Sequence, residues 1–198
     1  KNNTPKAMVT KKMNLAPICL FTYNRLEETQ RTVKALANNF LAKESELYIF
    51  SDGWKNDEAK IKINNVRAFL RTINGFKKVT VFESDKNKGL ANSIISGVSQ
   101  IISEYGKVIV LEDDLITSPN FLDFMNDSLD FYKDNSSIFS ISGYSMDLPS
   151  LKNNNKDYYL GIRASSWGWG AWSRSWDDID WDVKDYNDFV NSKLLKNE

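Results

Sequence analysis

The sequence predicts an α/β fold with a mostly parallel central sheet and helices on both faces. Three observations carry this expectation. Short apolar runs lack the alternation of a half-exposed strand, so they read as strands buried on both sides. They alternate with amphipathic segments whose apolar residues recur at spacings of three and four, the pattern of crossover helices between parallel strands. Several of the runs end in a polar cluster, and in such sheets ligands bind outside the carboxyl ends of the strands.

Ile18 to Thr22 is the first buried strand, followed by a helix with Thr29, Val33, Leu36 and Phe40 on one face. Leu47 to Phe50 is the second strand and ends in Ser51-Asp52-Gly53. A polar helix over 57–73 carries apolar Ile61, Val66, Phe69, Leu70 and Ile73, and Val79 to Phe82 is the third strand. Leu90, Ile94, Ile95, Val98, Ile101, Ile102 and Tyr105 define the strongest helix, with Gly106 as its C-terminal cap. Val108 to Leu111 is the fourth strand. Ser118-Pro119 then supplies an N-cap and a first-turn proline for a helix carrying Phe121, Leu122, Met125 and Leu129. Ile138 to Ser142 and Tyr158 to Ile162 read as further strands. Residues 1–15 are rich in Lys and Asn without periodicity and read as a tail or linker, leaving 16–198 as one domain.

Composition excludes several classes of function. Of 198 residues, 41% are hydrophobic, enough for a substantial single core. Lys plus Arg (26) balance Asp plus Glu (26), so no uniform field draws the chain to nucleic acid or anionic lipid. The single Cys19 sits in an apolar run and reads as a small buried hydrophobe. No run approaches the length of a membrane span, which predicts no transmembrane segment and a cytoplasmic protein whose membrane contact, if the full-length protein has one, is peripheral. Histidine is absent, so no Ser-His-Asp or Cys-His mechanism and no His-ligated metal site is available, and acid–base and metal-ligating chemistry falls to Asp and Glu.

Two clusters stand out. Val108-Ile109-Val110-Leu111 stops abruptly in Glu112-Asp113-Asp114, three carboxylates at the carboxyl end of a buried strand. Either solvent takes them or a cation does; like charges repel, and a hard divalent ion with diphosphate oxygens in its remaining sites fits oxygen-only ligation. Farther on, Ser165-Ser166-Trp167-Gly168-Trp169-Gly170-Ala171-Trp172 and Trp176-Asp177-Asp178-Ile179-Asp180-Trp181 place five of the six tryptophans within fifteen residues. Rings among glycines and acids can floor a sugar pocket, and they can equally form a core cluster under a loop.

The motifs Pro17-Ile-Cys-Leu-Phe-Thr-Tyr-Asn-Arg25, Ser51-Asp-Gly53, Asn87-Lys-Gly-Leu-Ala-Asn92 and Val110-Leu-Glu-Asp-Asp-Leu115 with Ser118-Pro-Asn-Phe121 occur in this order at strand ends. In that combination the chain, over residues 17 to about 176, resembles nucleotide-sugar glycosyltransferases of the GT-A (Rossmann-like) fold. Among them it is similar to bacterial family 2 enzymes and, through Glu-Asp-Asp, to the N-acetylglucosaminyltransferase I group. The resemblance implies that Thr22, Asn24 and Arg25 border the nucleotide, with Arg25 against the base or diphosphate. It places Asp52 on the base, Lys88, Gly89 and Asn92 along ribose and phosphates, Glu112 and Asp113 on ribose or donor sugar, and Trp167 and Trp169 at the sugar. Asp114 would ligate Mn2+ or Mg2+.

The implied reaction is inverting transfer of a hexosyl or N-acetylhexosaminyl group from a nucleoside diphosphate sugar, a UDP-sugar by the likeness, to a hydroxyl of a carbohydrate or glycoconjugate. A role in bacterial polysaccharide synthesis follows from the same likeness. The catalytic base would be Asp177 or Asp178. Two departures matter: the third metal ligand that many such enzymes draw from a C-terminal His is absent, and the chain stops short of the usual acceptor-binding portion, which predicts a C-terminally truncated domain. The alternatives are a nucleotide-sugar-binding fragment without turnover and a sugar-1-phosphate nucleotidyltransferase. The second usually opens with a Gly-rich basic loop, whereas Thr22-Tyr-Asn-Arg-Leu26 has no glycine.

Overall fold

The computed structural model describes residues 14–152, 156 and 158–192. Six strands form one sheet in the order β3-β2-β1-β4-β6-β5. β1 (Ile18–Thr22), β2 (Glu46–Ser51), β3 (Lys78–Glu83) and β4 (Lys107–Glu112) are parallel, while β6 (Trp169–Trp172) runs antiparallel to both β4 and β5 (Ser140–Ser142). The chain builds outward from β1 to β3, then crosses back to place β4 on the other side of β1. The order therefore reverses between β1 and β4, and their carboxyl ends flank the crevice that such a reversal opens.

Each central strand divides its side chains between two cores. Ile18, Leu20, Ile109 and Leu111 face α1 (Leu26–Ala37), α2 (Asp57–Leu70) and α4 (Phe121–Phe131). Cys19, Phe21, Val108 and Val110 face α3 (Leu90–Tyr105) and Trp176, the last residue of the one-turn helix α5 (Ser173–Trp176). Because both faces are buried, β1 up to Phe21 and β4 from Val108 to Leu111 are apolar at every position, which is why they read as unbroken runs. A last short helix, α6 (Tyr186–Asn191), has no buried residue. Ala16 is buried and its N–H donates to Asn126 Oδ1 at 2.8 Å, so the chain is anchored just ahead of β1; residues 1–13 of the expected tail lie outside the described residues.

The structure corrects four local expectations. Phe40 lies beyond the end of α1 and is 70% exposed, because the helix stops at Ala37 and only the Phe40 N–H is held, by Pro119 O. In α2 the buried face is Ile63, Val66, Arg67 and Leu70, which turns Ile61 to solvent. α4 starts at Phe121 after Asn120, two residues later than a Ser118 cap would place it; the Ser118 hydroxyl instead bonds Asn120 Oδ1 at 2.9 Å. Tyr158 to Ile162 is exposed and forms no strand; the sheet is completed by Trp169–Trp172 from the tryptophan segment. Among the described residues, no helix is long and apolar enough to cross a membrane.

Cys19 lies between α3 and the middle of the sheet with no exposed surface, and burial pushes its thiol far above the ordinary range. A disulfide reagent such as dithionitrobenzoate should therefore leave the native chain unlabelled and titrate one thiol in denaturant; rapid labelling of the native chain would show that this core opens.

Candidate functional site

A cleft of about 240 Å³ opens at the carboxyl ends of β1, β2 and β4, against the start of α3. Phe21 and Phe50, neighbours across β1 and β2 with ring centroids 5.1 Å apart, line its base. Of the residues singled out in the motifs, Thr22, Arg25, Asp52, Gly89, Glu112 and Asp113 line it. Tyr23, Lys55, Asn87, Leu90 and Ser93 complete the wall. Of these, Tyr23, Asn87 and Leu90 lie within a quoted motif; Lys55 and Ser93 carried no sequence signal, since their place depends on where the β2–α2 loop and the first turn of α3 close over β1.

The carboxyl end of β2 is held by buried charge. Asp52, 8% exposed, accepts N–H bonds from Gly53 (2.8 Å), Lys88 (2.9 Å) and Gly89 (3.0 Å) and from the Asn87 side-chain amide (3.0 Å). Its oxygens are thus engaged in tying the loop ahead of α3 to β2. Gly53 permits this closeness: a Cβ there would stand 2.4 Å from the Lys86 carbonyl carbon. Behind it Arg67, 6% exposed, donates to the backbone carbonyls of Ser51, Asp52 and Ser84 and lies 3.6 Å from Glu83. A buried guanidinium costs several kcal/mol unless its donors are met, and here they are. The signal for Arg67 was present in the sequence: with Ile63, Val66 and Leu70 it occupies one helical face, so a charge there had to be buried and paired.

Of the three carboxylates at the end of β4, two share one guanidinium. Arg25 forms ion pairs with Asp113 and, at 3.0 Å, with Asp114. Asp113 is buried and also accepts the Tyr23 N–H at 3.2 Å, while Asp114 is exposed at the rim. Burial raises Asp113 above the ordinary carboxylate range, with the Arg25 and Tyr23 contacts opposing and Asp114 adding. Glu112 is raised as well, by burial first and then by the charges of Asp114 and Asp113, against the opposing charge of Arg25. Arg25 alone leaves this corner short of positive charge. Among the described residues, no group of three His, Cys, Asp or Glu side chains is arranged to hold a metal ion. The donor set fits an ion bound through the exposed Asp114 carboxylate with its other ligands brought by an incoming phosphate group.

The other expected residues lie apart from the cleft wall. Asn24 and Lys88 are not in the lining, although the Lys88 N–H bonds Asp52, and the exposed Asn92 donates to Lys88 O at 3.0 Å. Trp169 stacks on Trp176 (centroids 5.7 Å apart), and Trp176 donates its Nε1–H to Ser99 Oγ, so Trp169 belongs to the core on the α3 face. Trp167 is half exposed and packs on Tyr144. Asp177 and Asp178 follow α5, are exposed, and contribute nothing to the cleft lining.

The profile of Glycosyl transferase family 2 matches residues 18–192, and the chain belongs to this family. A search of curated protein sequences finds no match. Among solved structures, the chain is similar to the mannosyltransferase PcManGT from Pyrobaculum calidifontis, in complex with GDP-Man and Mn2+. The identity is 12%, with a TM-score of 0.46 over 67% of this chain and 39% of that one. It is also similar to S. aureus TarS 1-349, at 16% identity and a TM-score of 0.42 over 59% of this chain and 33% of that one. The chain thus spans well under half the length of either protein.

Asp52→Asn turns one acceptor oxygen into a donor facing the N–H groups of Lys88 and Gly89 that it now accepts from. We expect a loss of about 1–3 kcal/mol in unfolding free energy by urea titration; unchanged stability would mean that the 86–89 loop is held by something else.

Proposed function

We propose that the chain is the donor-binding domain of a glycosyltransferase that takes a nucleoside diphosphate sugar, a UDP-sugar in our reading, and transfers the sugar with inversion to a hydroxyl of a carbohydrate or glycoconjugate. The observation that carries this is the convergence, at the strand-order reversal of a family 2 domain, of an acidic corner with one arginine and a long helix whose start no side chain caps.

The base and ribose lie over Phe21 and Phe50, in the part of the cleft bounded by Thr22, Asp52 and Gly89. Asp52 acts as a positioning residue that fixes the 86–89 loop. The diphosphate lies between the start of α3 and the acidic corner, where open backbone N–H groups and the helix dipole favour an anion. Mn2+ or Mg2+, when bound, neutralises charge on the departing diphosphate, with Asp114 as the protein's ligand. Arg25 then exchanges part of its hold on Asp114 for phosphate oxygen, keeping Asp113 as its buried partner. Glu112 borders the donor sugar.

In the reaction the bond from the anomeric carbon to the diphosphate oxygen breaks as a bond to the acceptor oxygen forms on the opposite face. The acceptor proton passes to a carboxylate, and the nucleoside diphosphate leaves with the bonding electrons. We assign that carboxylate to Asp177 or Asp178, which are exposed and carried by the segment that follows β6.

Calorimetric titration of nucleoside diphosphates, with and without Mn2+, tests the reading. One nucleotide should bind at least about tenfold more tightly with Mn2+, and Asp114→Ala should erase that difference. Binding indifferent to metal in both proteins would refute the metal-bridged diphosphate. If turnover is measured, Asp178→Asn or Asp177→Asn should remove transfer while leaving nucleotide affinity unchanged; turnover surviving both would move the base elsewhere.

A further inference from the structure

The loop between β5 and β6, residues 143–168, leaves and re-enters the sheet at its cleft end, because β5 is parallel to β4 and β6 runs back alongside both. The ladder extends one step past the strands: Gly143 N–H donates to Gly168 O at 2.7 Å. Trp169 pairs with Val110 on one side and Ser142 on the other. Continuing that register outward brings Trp167 and Tyr144 level with Glu112, one and two strands over from it. The nucleotide cleft lies on the β1 side of β4; these two residues lie on the β6 side.

Tyr144 and Trp167 pack edge to face with centroids 4.6 Å apart, yet remain 44% and 49% exposed. The backbone beneath them is clamped. A Cβ on Gly143 would come within 2.3 Å of the Phe121 ring, and one on Gly168, whose φ is +67°, within 3.1 Å of the same ring. Both residues of this one facing pair thus give up side chains to seat the loop on α4, and the rings beyond it are left facing solvent. Trp169, Trp172 and Trp176 already serve the core, so packing does not account for this pair. The neighbouring chain carries hydroxyls: the Trp167 N–H donates to Ser165 Oγ at 3.3 Å, and Ser145 Oγ, next to Tyr144 in the chain, bonds the Tyr159 hydroxyl at 3.2 Å. Exposed ring faces on a segment rich in hydroxyls suit a pyranose, which presents C–H groups on its face and hydroxyls around its rim.

We infer that Tyr144 and Trp167 form the acceptor subsite, a stacking platform that holds a sugar ring of the acceptor beside the acidic corner. This rests on the nucleotide-sugar reading of the cleft and assigns Trp167 to the acceptor rather than to the donor.

The test uses the whole chain at saturating Mn2+ and whichever nucleoside diphosphate binds best in the titration above. Methyl β-glycosides of glucose, galactose, N-acetylglucosamine and N-acetylgalactosamine are titrated in and followed by ligand-observed NMR, on the parent chain and on Tyr144→Ala and Trp167→Ala. At least one glycoside should bind the parent, and each substitution should weaken it by about tenfold while the nucleotide affinity stays within about twofold. The retained nucleotide affinity also reports that the variants fold. Four results would overturn the inference: nucleotide binding without binding of any glycoside; glycoside affinity unchanged in both variants; nucleotide affinity falling together with glycoside affinity; or loss of co-sedimentation with phosphatidylglycerol vesicles in Trp167→Ala without glycoside binding, which would make the pair a membrane contact. Failure of every nucleotide to bind the parent is a separate result that removes the cleft reading and this inference with it.

Discussion

Asp52 and Arg67 meet at the carboxyl end of β2, and the cleft takes its shape from that contact. Each is nearly inaccessible to water, and each is made tolerable by backbone partners: N–H groups for the carboxylate, carbonyls for the guanidinium. Burying two charges is unfavourable in isolation. What the pair supplies is geometry, because hydrogen bonds have direction and hydrophobic contacts do not. Through Asp52 the loop before α3 is fixed to β2, and through Arg67 the ends of β2 and β3 are fixed to α2. The cleft wall is therefore set by polar contacts lying over two apolar cores.

The acidic corner works by the opposite logic, an incomplete balance of charge. Arg25 reaches Asp113 and Asp114 from the turn between β1 and α1, yet burial still raises Asp113 and Glu112. A fully compensated cluster would need nothing further. This one pairs its buried member, Asp113, with Arg25 and leaves Asp114 at the exposed rim, held by the same guanidinium.

The parallel half of the sheet was legible because β1, β2 and β4 are buried on both faces, and their polar ends announce where the apolar environment stops. Arg25, Asp52, Glu112 and Asp113 stand in those polar ends, Thr22 and Gly89 were named through the family resemblance, and the six lie together. Of the antiparallel edge, β5 lies within the run read as Ile138 to Ser142, whereas β6 was not legible. Gly168-Trp169-Gly170-Ala171-Trp172 has poor strand composition, and its pairing is decided by tertiary fit: at Gly170 the Val108 carbonyl oxygen would be 3.0 Å from any Cβ. Tyr158 to Ile162 has good strand composition and no partner. Trp169 and Trp167 looked alike in sequence, and only the register separates a core residue from an exposed one. Asp177 and Asp178 depend on how the segment after β6 folds back, which no periodicity records.

The reversed direction of β6 has a consequence for how such a domain can diversify. Because the 143–168 loop begins and ends on neighbouring strands, joined at its neck by Gly143 and Gly168, its tip can lengthen, shorten or change residues without altering the spacing of the four parallel strands. The four parallel strands and the hairpin beside them are then separable units of inheritance. A lineage can hold the one constant while the other drifts freely.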